Sequence, residues 1–164
     1  MKTFLKFSGI IAFVVALVGF ILMLATTGLK NEGTVLGLSY STEISGAKVI
    51  FGEDNVDGAI TGIFAFILVL IALVIICAGV VLPLLKVTVL DKVAGILNLV
   101  AVICLIVAGI LCFTVKGSYF SANDASSFAE YYDLGVAFIL GGILYIVAGV
   151  VAICPAIANL ISKK

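Results

Sequence analysis

The run Glu53-Asp54-Asn55-Val56-Asp57-Gly58 carries the densest set of oxygen ligands in the chain. Glu53, Asn55 and Asp57 alternate and precede a glycine, which resembles the opening of a calcium-binding loop. Such a loop closes with a bidentate glutamate at its twelfth position. Counted from Glu53, that position is Phe64, inside an apolar run. The decisive ligand is absent, so Glu53, Asn55 and Asp57 are only weak calcium candidates. In the structural reading, Asp57 caps the helix that follows, where its charge complements the helix dipole. Its acidic neighbours then simply stay in water.

Other chemistry is sparse. Cys77, Cys104, Cys112 and Cys154 all fall in apolar runs, and no two have C-x-x-C spacing. That argues against a disulfide framework or an exposed redox pair. They read as small apolar residues. There is no histidine, which removes the usual haem ligand and the commonest zinc ligand. No cofactor is expected. Asn98 and Tyr145 are the main polar groups inside apolar runs, with Ser8, Thr61, Thr114 and Asn159 nearer the ends. Ion-coupled transport usually keeps an acid or base within the membrane, and these runs hold none. No Ser–His pair, membrane carboxylate pair or phosphate-cradling loop stands out. A non-catalytic protein is expected.

The elements that carry these residues are apolar. Four stretches, 7–29, 58–85, 93–115 and 134–162, contain no charged residue. The composition is 64% hydrophobic and 11% charged. Roughly 20 apolar residues suffice to cross a ~30 Å hydrocarbon core as a helix. The expected fold is an all-α membrane protein, a four-transmembrane-helix bundle of two helical hairpins, in a single domain over 1–164. Spans are expected at about 5–27, 59–85, 93–115 and 134–155. Outer loops then cover 28–58 and 116–133, and an inner loop covers 86–92. Lys2 and Lys6 before the first run could suit a signal peptide, but the run exceeds a signal core of ~7–15 residues. An uncleaved first helix is expected.

Charge sets the orientation. Lys2, Lys6, Lys86, Lys92, Lys163, Lys164 and Asp91 share one side. Lys30, Lys48 and Lys116 share the other with all remaining acids. Lysine excess marks the cytoplasmic face. Both termini are therefore expected inside, most naturally at the plasma membrane.

Packing signals are present too. Ile76-Cys-Ala-Gly-Val-Val81 precedes Pro83, and Ile146-Val-Ala-Gly-Val-Val151 precedes Pro155. A parallel duplication of the helix pairs is one reading; chance similarity of apolar helices is the other. Gly142 and Gly149, one heptad apart around Tyr145, could pack the bundle or bind another protein. Pro155 should kink the last helix, leaving the tail along the inner interface. Tyr119, Phe120, Phe128, Tyr131 and Tyr132 resemble an interfacial aromatic belt.

The first outer loop alternates from Thr34 to Ile44, with Leu36, Leu38, Tyr40, Thr42 and Ile44 on one face. That is a strand signature. A turn at Ser45-Gly46 and a second strand over Ala47–Phe51 would complete a small extracellular β-hairpin. Leu36, Leu38 and Tyr40 then become candidate partner contacts. In the second loop, Ser127 and Glu130 have capping-box spacing, which predicts a short helix or an early start to the last span.

The order of parts is similar to claudin-like tetraspan proteins. The resemblance covers the whole chain and rests on topology. The tryptophan and cysteine pair of the claudin first loop have no counterpart here, so no functional residue is carried across. The expected function is that of a structural or accessory subunit. Its partners would be the lipid bilayer and other membrane proteins, or further copies of itself, with no nucleic acid. The alternative is a small oligomeric transporter or channel for a neutral or apolar solute. An enzyme acting on lipid through Asp54, Asp57, Asp124 and Asp133 is a third possibility.

Overall fold

The computed structural model describes residues 2–81 and 88–161, with side chains described over 7–81 and 92–160. Pro83, Lys86, Lys163, Lys164 and the start of the expected inner loop lie outside the described residues. So do the side chains of Lys2, Lys6 and Asp91.

Among the described residues, four helices are long and apolar enough to cross a membrane. They are α1 (Lys2–Ala25), α3 (Ile60–Val81), α4 (Thr88–Ala122) and α5 (Val136–Ile161). At one end they carry a crown. It consists of strands β1 (Thr27–Val35), β2 (Leu38–Ser45) and β3 (Asp133–Leu134), a short helix α2 (Gly46–Phe51) and a 3-10 helix over Ser126–Tyr131.

Helix ends differ from the charge-free boundaries for local reasons. The Thr26 hydroxyl and amide both donate to the Leu22 carbonyl, at 2.7 and 3.1 Å, and α1 stops there. Helix α4 begins at Thr88, within the expected inner loop, and passes Lys116 to reach Ala122. A lysine ends a hydrophobic run but is a good helix former. At 1.5 Å per residue α4 is about 50 Å long, so it outreaches a ~30 Å hydrocarbon core. Helix α5 continues through Pro155. Ala152 and Ala156 are buried on either side of it, and Leu160 lies against Gly95 of α4. The segment after Pro155 is thus packed into the bundle as far as Leu160, instead of lying along an interface.

Helix α4 sits between α3 and α5, α5 sits between α4 and α1, and α1 closes on α3 over a smaller area. Lipid supplies little hydrophobic drive between helices, so close approach matters most. A methyl group at Gly142 would lie 3.0 Å from the Gly109 carbonyl oxygen, and one at Gly149 3.0 Å from Ile106. Both glycines are buried in the α4–α5 seam. The bundle itself thus uses both glycines for close packing, one of the two roles their spacing suggested. Gly79 also faces α4, where the Asn98 carboxamide occupies the space a side chain would need. The two matching segments thus pack against the same helix. Tyr145 is fully buried between α5 and α1, nested on Gly19, and its hydroxyl lies 3.5 Å from the Met23 sulfur.

The crown sheet has the order β2-β1-β3, and both pairings are antiparallel. Strand β1 grows directly out of α1, and β3 leads directly into α5. A hairpin is present, but its register corrects the expectation. The turn is Leu36-Gly37, between the paired residues Val35 and Leu38. Both turn residues have positive φ, 52° and 80°, as a two-residue type I′ connection requires. The alternating run therefore straddles the turn. Ser45-Gly46 is no turn: the Ser45 hydroxyl accepts from the Lys48 amide at 3.4 Å and caps α2, where a second strand was expected.

Candidate functional site

Among the described residues, the crown holds most of the charged side chains, and side-chain hydrogen bonds from α4 tie it and the top of α3 in place. The Asn123 carboxamide, just past the end of α4, grips Asp57 twice. Its Oδ1 accepts from the Asp57 amide at 2.8 Å, and its Nδ2 donates to the Asp57 carbonyl at 2.9 Å. The Ser118 hydroxyl accepts from the Thr61 amide at 3.3 Å, so α4 supplies the cap of α3. This replaces the capping role expected of Asp57. Lys116 donates to the Tyr132 carbonyl at 3.1 Å and draws the second loop back onto α4.

Lys30 sits at the centre of the sheet. Its register partners are Glu43 on β2 and Asp133 on β3. Glu32, 2.6 Å away, accepts a hydrogen bond from its ammonium and holds that group above the usual lysine range. The charges of Glu43 and Asp133 act in the same direction. A positive rung flanked by acids thus ties the two loops together.

Between β2, α2 and the following turn lies a cavity of about 460 Å³. Its walls include Glu43, Lys48, Glu53, Asp54, Asn55 and Tyr119. Glu53 and Val56 exchange backbone hydrogen bonds of 3.0 and 2.8 Å, closing a tight turn with Asp54 at φ 48°. Aspartate tolerates that left-handed conformation. Glu53 pairs with Lys48 at 2.5 Å. Of the calcium candidates, Glu53 and Asn55 line this cavity, while the Asp57 backbone is held by Asn123. Among the described residues, no three His, Cys, Asp or Glu side chains gather as a metal group.

The second exposed feature is the hairpin tip. Leu36 is 99% exposed and Leu38 76%, with Val35 beside them. The expected apolar face is covered only at its base, where Ile44 packs on the core. Tyr40 lies over its cross-strand partner Gly33. The proposed aromatic belt splits in two. Tyr119 and Phe120 are buried and pack edge to face at 5.4 Å, and Phe120 meets Tyr132 at 5.2 Å. Phe128 and Tyr131 are exposed. The four cysteines are free.

Sequence reasoning missed Asn123 and the central role of Lys30. Asn123 is 66 residues from Asp57, and no local pattern marks it. The alternation of the first loop could have been split at Gly37, the one glycine in the run. No known protein-family model matches the chain, and no curated protein matches it.

Proposed function

We propose that this chain is a non-catalytic integral membrane protein, a structural or accessory subunit that acts by contact, with the hairpin tip as its docking element. Leu36 carries the argument. A type I′ turn favours Asn-Gly or Asp-Gly, because a non-glycine residue at positive φ costs roughly 1 kcal/mol or more. Leucine there is strained, and at 99% exposure it buries nothing within the chain. Neither cost serves the fold of the monomer, and contact with a second surface would offset both. The open outer edge of β2 beside it suits strand addition.

The lysine distribution supports placing the crown outside a plasma membrane, with both termini in the cytoplasm. The transporter reading has no comparable support. Asn98 and Tyr145, the polar groups deepest in the bundle, are both buried in helix seams.

The test is Leu36→Asn, with Leu38→Ser as a second variant, followed by cross-linking in the membrane and affinity capture in gentle detergent. Asparagine suits the turn, so the hairpin should stay folded while the cross-linked partners are lost. Identical partners for wild type and both variants, or none for any of them, would refute the docking role. Deleting the whole hairpin would be a poorer test, because Val49 and Ile50 just beyond it belong to the buried core.

A further inference from the structure

We propose that the free edge of β2 pairs antiparallel with β2 of a second copy of this chain, about a two-fold axis at Ser41. This names the occupant of the docking element and rests on that reading. Strand β2 is the outer strand of the order β2-β1-β3, and it is exposed along most of its length. A two-residue turn makes Val35 and Leu38 a hydrogen-bonded pair, and such pairs alternate along the ladder. Leu38, Tyr40 and Thr42 therefore aim their backbone groups at β1. Ser39, Ser41 and Glu43 aim theirs at the open edge. Edges are ordinarily guarded by lysine, proline or a bulge. Strand β2 has no lysine or proline, and its single charge is Glu43. The irregularity in its pairing lies at the base, between Thr27 and Leu29 of β1.

The edge is complementary to itself. In an antiparallel pair centred on Ser41, Ser39 meets the partner's Glu43, so a hydroxyl faces a carboxylate and the two Glu43 side chains stay apart. On the other face Leu38 meets the partner's Ile44, and Tyr40 meets the partner's Thr42. Leu38 and Tyr40 are exposed within one chain. About six backbone hydrogen bonds would form, two at each facing pair with outward amides. The space beside Glu43 and Ile44 is the open crown cavity, so the base of the edge is not blocked. Leu36 then arrives opposite the partner's Gly46, at the start of its α2. The strained, exposed leucine thereby gains a surface to cover. An unrelated strand could supply the backbone bonds, but not this match of side chains.

Oxidative cross-linking of the full chain in an uncharged maltoside detergent tests it, in a background free of other cysteines. Detergent lets two copies meet in any orientation. Ser41→Cys should form a disulfide dimer, since facing Cα atoms there lie about 5.5 Å apart. Ser39→Cys mixed with Glu43→Cys should give the heterodimer, the signature of this register. Thr34→Cys, equally exposed but one strand away on β1, should stay monomeric. Light scattering of the uncross-linked protein reads the same association. Ser41→Pro should abolish it, because the lost N–H points outward and the ladder to β1 keeps its bonds. Ser41→Lys should weaken it roughly two- to fivefold, the cost of like charges set opposite one another. That lysine faces Glu32 in its own chain, so the hairpin should fold, and slow β1 amide exchange checks it. Equal cross-linking at positions 34 and 41, or wild-type association in both Ser41 variants, would overturn the proposal. So would a monomeric wild type; if Leu36→Asn still removes other captured partners, the docking role stands without it.

Discussion

Asn123 and Asp57 are joined side chain to backbone by two hydrogen bonds, 2.8 and 2.9 Å long, that bring together loops 66 residues apart. A third bond, from Asn123 Nδ2 to the Tyr119 carbonyl at 2.8 Å, anchors the carboxamide to its own helix. The first crown loop is thereby fixed to the top of α4, and the wall of the cavity with it.

Asn123→Ala should release that grip. Loss of two interloop hydrogen bonds costs about 1–2 kcal/mol, as both groups are near water and can be resolvated. Amide exchange should speed up over residues 53–58, while the core amides of α4 and α5 stay protected. Uniform exchange rates across both regions would show that Asn123 holds nothing.

Lys30→Glu should separate the two loops. It would place a third acid between Glu43 and Asp133, its partners in register on both sides. Like charges directly opposite one another destabilise a sheet. Exchange of the β1 and β3 amides should rise, most strongly at low salt. The native lysine also carries a pH dependence. Its folded-state pKa is raised by Glu32 above 10.5. The stability it adds is complete below the unfolded value and fades as pH climbs through the raised one. Alkaline titration should loosen the sheet before it touches the helices. No change in β3 exchange between neutral and strongly alkaline pH would contradict this.

Tyr145→Ala should open a hole between α5 and α1. The ring is fully buried on Gly19, and its hydroxyl meets the Met23 sulfur. Loss of a buried aromatic side chain costs about 3 kcal/mol. Tyr145→Phe should cost far less, because a thioether is a weak acceptor. Thermal unfolding in detergent reads the difference. Equal transitions for the two variants would mean that the ring is not the wedge in this seam.

Leu36→Asn should stabilise the hairpin while it removes the tip. Relief of a strained φ is worth roughly 1 kcal/mol. Slower amide exchange in β1 and β2 is the expected reading; faster exchange would show that Leu36 supports the hairpin.

The spans were legible because charge-free runs of such length have few alternatives, and all four are helices. Their ends were less so, since Lys116 closes an apolar run without closing a helix. The hairpin was legible as alternation, yet its turn was misplaced. Leu36 at positive φ gives no local signal, and Ser45-Gly46 looks alike as a turn or as the start of a helix. Gly142 and Gly149 were legible as close-contact points. Which surface they contact depends on helix order, which spacing does not encode. The crown cavity was half legible. Its acids stood out as a cluster, but Tyr119 enters from a distant segment, as does Asn123, which holds the adjoining Asp57 backbone.

The most direct check is topological. Single cysteines, Ser39→Cys, Ser126→Cys and Ser162→Cys, are exposed in turn to an impermeant maleimide on intact cells, in a background free of other cysteines. The first two should label at once, and the third only after the membrane is opened. Equal labelling of all three on sealed cells would contradict a bundle that crosses the bilayer with its hairpin and its tail on opposite sides.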